Sequence, residues 1–130
     1  MRPPMITIYH NPKLPVSREA LKLLKTAAAK QKFRVDLVQA KYESPTEIQV
    51  KAICGYLGKG SLAKGARLVL VPEAPLASTV EQVIETLQAK PTYLKKPLIV
   101  DWVKGRAVIA DPPYIATAFV KGVGLKEDAK

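Results

Sequence analysis

The sequence is poor in the residues that carry most metal and redox chemistry: 130 residues hold one Cys, one His, two Met and one Trp. A lone cysteine closes no internal disulfide and completes no CxxC pair. With one histidine beside it, no Cys/His zinc site can be assembled. The chain is therefore read as a protein of a reducing, intracellular setting, or at least one with no dependence on oxidation, and with no metal and no cofactor. Long apolar runs are missing too, and none approaches the ~20 residues that span a bilayer. No GxSxG elbow surrounds a serine, and no second histidine is available for a triad. Gly58, Gly60 and Gly65 fit neither a dinucleotide fingerprint nor a Walker loop. The carboxylates Asp36, Glu43, Asp101 and Asp111 are scattered along the chain.

What is abundant is positive charge. There are 21 Lys+Arg against 11 Asp+Glu, a net +10, above the ~2–8 that solubility asks of a small domain. The excess sits in the first quarter. Arg2, Lys13, Arg18, Lys22, Lys25, Lys30, Lys32 and Arg34 face Glu19 alone, while residues 35–130 are nearly balanced. Such a field suggests an acidic partner: RNA, DNA, an anionic membrane or an acidic protein. The competing reading is a solvated face that aids solubility only.

The pattern along the chain is that of a mixed α/β domain. Met5–Tyr9 alternates and reads as a strand, and His10–Pro15 as a loop. A helix starts at Pro15, a good first-turn residue, and buries Val16, Ala20, Leu23, Leu24 and Ala27. Arg18, Lys22 and Lys25 then form a basic stripe on the opposite face. Because this helix follows a strand, it is read as part of the fold and not as a cleavable presequence. Phe33–Val38 is the second strand. Ser44-Pro45-Thr46-Glu47 reads as a capping box with Pro at N1, opening a helix with the stripe Val50, Ile53, Cys54, Leu57 and a stop at Gly58. Ala66–Val71 reads as strand or helix. Ser78–Glu81 is a second capping box, followed by inward Val80, Val83, Ile84 and Leu87. Leu98–Trp102 is a central strand, Lys104-Gly105 a turn and Arg106–Ala110 the return strand. Asp111 caps a last helix that packs through Ile115, Ala118 and Phe119, and a polar tail follows from residue 122. The order β-α-β-α, insert, β-β-α gives a four-stranded mixed sheet with helices on both faces, a thioredoxin-like architecture. It reads as one domain over residues 1–130, with a small helical insert at about 59–95.

At Ile6–Arg18 (ITIYHNPKLPVSR) the sequence resembles the arsenate reductase and Spx branch of the thioredoxin superfamily, whose opening reads His-Asn-Pro-x-Cys-x-x-Ser-Arg. His10, Asn11, Pro12, Ser17 and Arg18 match. Lys96-Pro97 followed by Leu98-Ile99-Val100 is similar to that branch's Arg-Pro-apolar strand, whose proline is cis and faces the active loop. Lys96–Ala110, together with PTEIQ at Pro45–Gln49, resembles more closely a fungal mitochondrial family described as redox proteins of this fold.

The resemblance implies a mitochondrial setting, and its departures imply lost chemistry. Leu14 stands where the branch keeps its cysteine, and leucine cannot ionise or attack an oxyanion. Lys96 replaces one oxyanion-holding arginine and loses the planar fork, and Ala110 stands near the other. His10, Asn11, Leu14, Lys96 and Pro97 then make a vestigial cleft, open at most to an anion at the helix start. No catalytic residue is assigned. His10 is read as a hydrogen-bonded structural residue, and Cys54 as a buried apolar side chain. The remaining signal is Lys13, Arg18, Lys22, Lys25, Lys32 and Arg34, six cations able to track a phosphate backbone. Tyr9 and Phe33 read as core, which disfavours base stacking. RNA in a ribonucleoprotein such as the mitochondrial ribosome is the expected partner, with an anionic membrane surface second. The alternative is a mitochondrial thiol oxidoreductase.

Overall fold

A computed structural model describes residues 4–39 and 45–123. In chain order these form β1 (Met5–His10), α1 (Pro15–Gln31), β2 (Arg34–Gln39), α2 (Glu47–Leu57), α3 (Leu62–Leu68), α4 (Val80–Ala89), a 3-10 turn (Pro91–Tyr93), β3 (Leu98–Asp101), β4 (Arg106–Ile109) and α5 (Ile115–Phe119). The sheet order is β2-β1-β3-β4. β1 and β2 are parallel, and the other two pairings are antiparallel. The four-stranded mixed sheet with helices on both faces is as the element order implies. Among the described residues no helix is long and apolar enough to cross a membrane.

The period-2 alternation of a strand sends neighbours to opposite faces, so the two central strands feed two cores. Ile6, Ile8 and Ile99 pack with Ala20 and Leu24 of α1, and with Ala116 and Val120 at α5. Tyr9, Leu98 and Val100 pack with Val50, Ile53 and Cys54 of α2, Val69, and Val83 and Leu87 of α4. β3 is buried at all four positions, hence its unbroken apolar sequence. The polar exception is Thr7, which is 2% exposed in mid-sheet. Its hydroxyl donates to Asp36 Oδ2 (3.2 Å) and accepts from Trp102 Nε1 (2.9 Å), so the burial leaves nothing unsatisfied.

Several local expectations shift. Ser44 lies outside the described residues, and α2 is capped by Thr46, whose hydroxyl accepts from Gln49 N–H while Gln49 Oε1 accepts from Thr46 N–H. Pro45 is therefore outside the helix and buried. α4 is capped by Thr79 with Gln82, one residue beyond Ser78. The reason is the reach of glutamine: Gln82 Oε1 accepts from both Ser78 N–H (2.8 Å) and Thr79 N–H (3.3 Å). Gly58 is not a left-handed stop (φ −85), and Lys59 takes that conformation instead (φ 53). Residues 66–71 combine both expectations, with a helix to Leu68 and then an isolated bridge from Leu70 to Leu94. Along α1, Val16 and Leu23 are only half-buried and Ser17 is fully buried. Asp111 caps nothing, because two prolines separate it from α5, whose N-cap is Tyr114 without a side-chain bond. In α5 the buried positions are Ala116 and, just beyond, Val120, while Ala118 is exposed. The chain stays docked past residue 122: Val123 is 5% exposed, and Gln31 Nε2 donates to the Val120 and Val123 carbonyls. Residues 124–130 lie outside the described residues.

Candidate functional site

The register brings the sequence-predicted cleft residues to one edge of the sheet. Tyr9 pairs with Leu98, so His10 ends β1 beside Pro97, which precedes β3. The Lys96–Pro97 peptide is cis. Ala110 N–H donates to the Pro97 carbonyl (2.9 Å), which places the end of β4 at the same edge. The loop 11–14 then leads into α1, where Leu14 is the N-cap, makes no side-chain cap and is 36% exposed.

The polar residues of that edge are tied to one another and to nearby carbonyls. His10 is 5% exposed, with Nδ1 2.6 Å from Ser17 Oγ. Asn11 N–H donates to the same oxygen (3.1 Å). A serine hydroxyl that accepts from Asn11 and gives its proton to Nδ1 satisfies all three groups, with the imidazole proton on Nε2. Asn11 Oδ1 accepts from Lys13 N–H (2.9 Å), and Arg18 Nη1 donates to the Pro12 carbonyl (2.9 Å), pinning the loop. Lys96 Nζ donates to the Thr92 carbonyl (3.3 Å), and burial holds its ammonium below the usual lysine range. The motif residues His10, Asn11, Ser17 and Arg18 thus build the strand–loop–helix corner, and the one hydroxyl beside the imidazole, Ser17 Oγ, is fully buried.

Burial, followed by the charges of Lys25 and Arg18, lowers the His10 pKa from its ordinary 6.5. The folded state therefore binds this proton more weakly than the unfolded chain. Its contribution to stability is complete above 6.5 and declines as the pH falls below that value. His10 is the only histidine, so a falling denaturation midpoint between about pH 7 and 5.5 is assigned to it. His10→Gln should flatten that slope, and a proton NMR titration of the imidazole should give a midpoint below the ordinary value. A midpoint at or above it would contradict this account.

Cys54 belongs to the other core, away from the one that α1 packs into. It is 0% exposed in the middle of α2, and burial pushes its thiol from 9.0 up to about 11. Burial of this side chain follows the helical stripe Val50, Ile53, Cys54. Among the described residues no three His, Cys, Asp or Glu side chains converge as metal ligands would.

The six cations form a row and not a cluster. All six are exposed. Arg18, Lys22 and Lys25 share one stripe of α1, Lys13 precedes the helix, Lys32 is its left-handed C-cap, and Arg34 opens the edge strand β2. From Arg18 to Lys32 the row spans about 21 Å at 1.5 Å per residue. None of the six makes an ion pair among the described residues, where the single bridge joins Arg106 to Asp101. Sequence reasoning missed two features. One is the Thr7–Asp36–Trp102 chain, which links residues up to 95 apart. The other is a groove of about 620 Å³ beside β4. Only the glycines Gly55, Gly60 and Gly105 hint at that groove.

The fold has close solved counterparts. An arsenate reductase from Vibrio cholerae superposes with a TM-score of 0.69 at 21% identity, covering 90% of this chain and 98% of that one. A Yersinia pestis protein assigned as an arsenate reductase gives 0.67 at 23%, covering 87% and 98%. At these identities the likeness is one of fold. No curated protein matches the sequence. Residues 1–111 match the family described as "Protein of unknown function (DUF1687)", and with most of its length inside that match, the chain belongs to this family.

Proposed function

We propose that this protein is a non-catalytic thioredoxin-like module that binds the phosphate backbone of RNA through the cation row of α1. In this reading Leu14 occupies the place of the reactive cysteine of arsenate reductases. The assembly it serves is a ribonucleoprotein of mitochondrial type. The observation that carries the reading is the row itself: Lys13, Arg18, Lys22, Lys25, Lys32 and Arg34 are exposed and free of carboxylate partners among the described residues. Tyr9 and Phe33 are buried at 3% and 5%, so phosphate contact and not base stacking is what the surface offers. The alternative, a thiol oxidoreductase, would have to act through Cys54, whose burial and raised pKa disfavour it.

Fluorescence anisotropy with a labelled RNA hairpin tests this. Engaging four to six phosphates gives a log–log salt slope of about −3 to −5. Affinity should then fall roughly a hundredfold or more between about 50 and 200 mM salt. Lys22→Glu combined with Lys25→Glu should weaken binding and make the slope shallower by about two. Equal affinity at both salt concentrations, or an unchanged slope in the double variant, would remove the reading. Binding to anionic vesicles but not to RNA would transfer the row to a membrane surface.

A further inference from the structure

At the opposite edge of the sheet from β2, we propose that β4 accepts an extended acidic peptide from a partner protein as a fifth strand. β4 is the outer strand. Ala110 N–H donates inward to Pro97, and the pairing continues through Val108 with Ile99 and Arg106 with Asp101. Antiparallel ladders alternate, so Arg106, Val108 and Ala110 turn their main-chain groups to β3, and Ala107 and Ile109 turn theirs outward. Within the described residues only one outward group is taken, the Ile109 carbonyl, which accepts from Asp111 N–H (3.0 Å). The Ala107 N–H, the Ala107 carbonyl and the Ile109 N–H are left for another chain.

The space to receive one is present. The groove of about 620 Å³ runs beside β4, with the Tyr56 ring on one wall and the Phe119 ring on the other. Gly105 cannot be enlarged without meeting Tyr56, 3.3 Å from where its β-carbon would stand. The charge of the groove selects the occupant. Lys59 and Arg106 line it and Lys104 flanks it, all exposed. The acids nearby are Asp101, buried and bridged to Arg106 at 3.5 Å, and Asp111 past the far end of β4. A short edge bearing cations repels a like-charged edge and attracts an acidic one. A second copy of this chain, also at +10, is disfavoured on the same ground. Main-chain hydrogen bonds would supply the affinity and the cations the preference.

The probe is an acetylated ten-residue peptide of alternating valine and threonine with two glutamates at each end. Amide exchange of the full chain is read by NMR. Saturating probe should slow exchange of the Ala107 and Ile109 amides at least tenfold while leaving Val108, already paired, unchanged. A probe N-methylated at every residue, or one with lysines for glutamates, should give no protection. Ala107→Pro, which removes only an outward N–H, should abolish binding, and Lys59→Glu should weaken it. No protection at saturation, or protection that persists with the N-methylated probe, overturns the proposal without recourse to any variant. Protection that grows with protein concentration in the absence of probe also overturns it, in favour of a self-paired dimer.

Discussion

Gly65→Ala should cost about 3 kcal/mol or more and lower the melting temperature by roughly 10 °C. Gly65 is buried in α3. A β-carbon built there would overlap the Cys54 carbonyl and stand 2.6 Å from Cys54 Cα. The obstruction is backbone, so no rotamer change relieves it, and α3 must move off α2. That movement strips contacts from Ala66 and Val69, each 1% exposed, which adds a cavity term to the overlap. Gly58 belongs to the same contact, since its β-carbon would overlap the Ser61 carbonyl and stand 2.7 Å from Gly65 N. Gly55→Ala is the control of opposite sign. It lies within α2, and the nearest atom to its new carbon would be Leu62 Cδ2 at 3.7 Å, an ordinary contact. Alanine there should stabilise by about 0.5–1 kcal/mol through helix propensity. Chemical denaturation of the two variants should show midpoints displaced in opposite directions. A Gly65→Ala protein as stable as the parent would show that the α2–α3 approach is looser than described.

The second large effect concerns the thiol. A shift from 9.0 to about 11 lowers the thiolate fraction near neutral pH about a hundredfold, and complete burial adds the free energy of opening the core. Iodoacetamide should therefore alkylate Cys54 in the native protein at least ~100-fold more slowly than in guanidinium chloride. The fold itself would not prevent thiol reactivity elsewhere. Leu14→Cys places a sulfur at the exposed N-cap of α1, beside unpaired helix N–H groups and near Arg18, where the thiolate is favoured. That introduced cysteine should be alkylated in the native state at least as fast as a free thiol, while Cys54 in the same molecule stays intact. Native-state labelling of Cys54 at the denatured rate would revive the oxidoreductase reading. An inert cysteine at position 14 would mean that this corner lacks the electrostatics expected of a helix start.

The acid-side loss of stability assigned to His10 and the salt dependence assigned to the α1 row probe separate places. The first is the buried corner with Ser17, the second the solvent face of the helix that carries it. Lys25 and Arg18 connect them, because their charges help to keep the imidazole neutral. In the double variant carrying Lys25→Glu, the His10 midpoint should therefore rise.

Periodicity and turn signals together determined the element order outside residues 59–75, the mixed sheet and most of the core. Those signals are local: Ile6 and Ile8 two apart on a strand, and Ala20, Leu24 and Ala27 at helical spacing. Composition alone determined that this chain has one thiol and an acid-poor first quarter. Spacing within the helix stripe also anticipated that Cys54 would be buried. Only tertiary structure decided the rest, because it depends on approaches between backbones distant in sequence. Gly65 needs its missing side chain on account of a carbonyl in another helix. Ser17 is buried by its bond to a histidine at the end of β1, and Thr7 is tolerated in mid-sheet because Asp36 and Trp102 arrive from two other segments. The caps moved by one or two residues because Gln49 and Gln82, three residues after Thr46 and Thr79, close the boxes in place of Glu47 and Glu81. The outer edge of β4 was invisible for a related reason: whether a strand's outward amides find partners depends on which strands the fold sets beside it, and among the described residues no further strand pairs with β4 on its outer side.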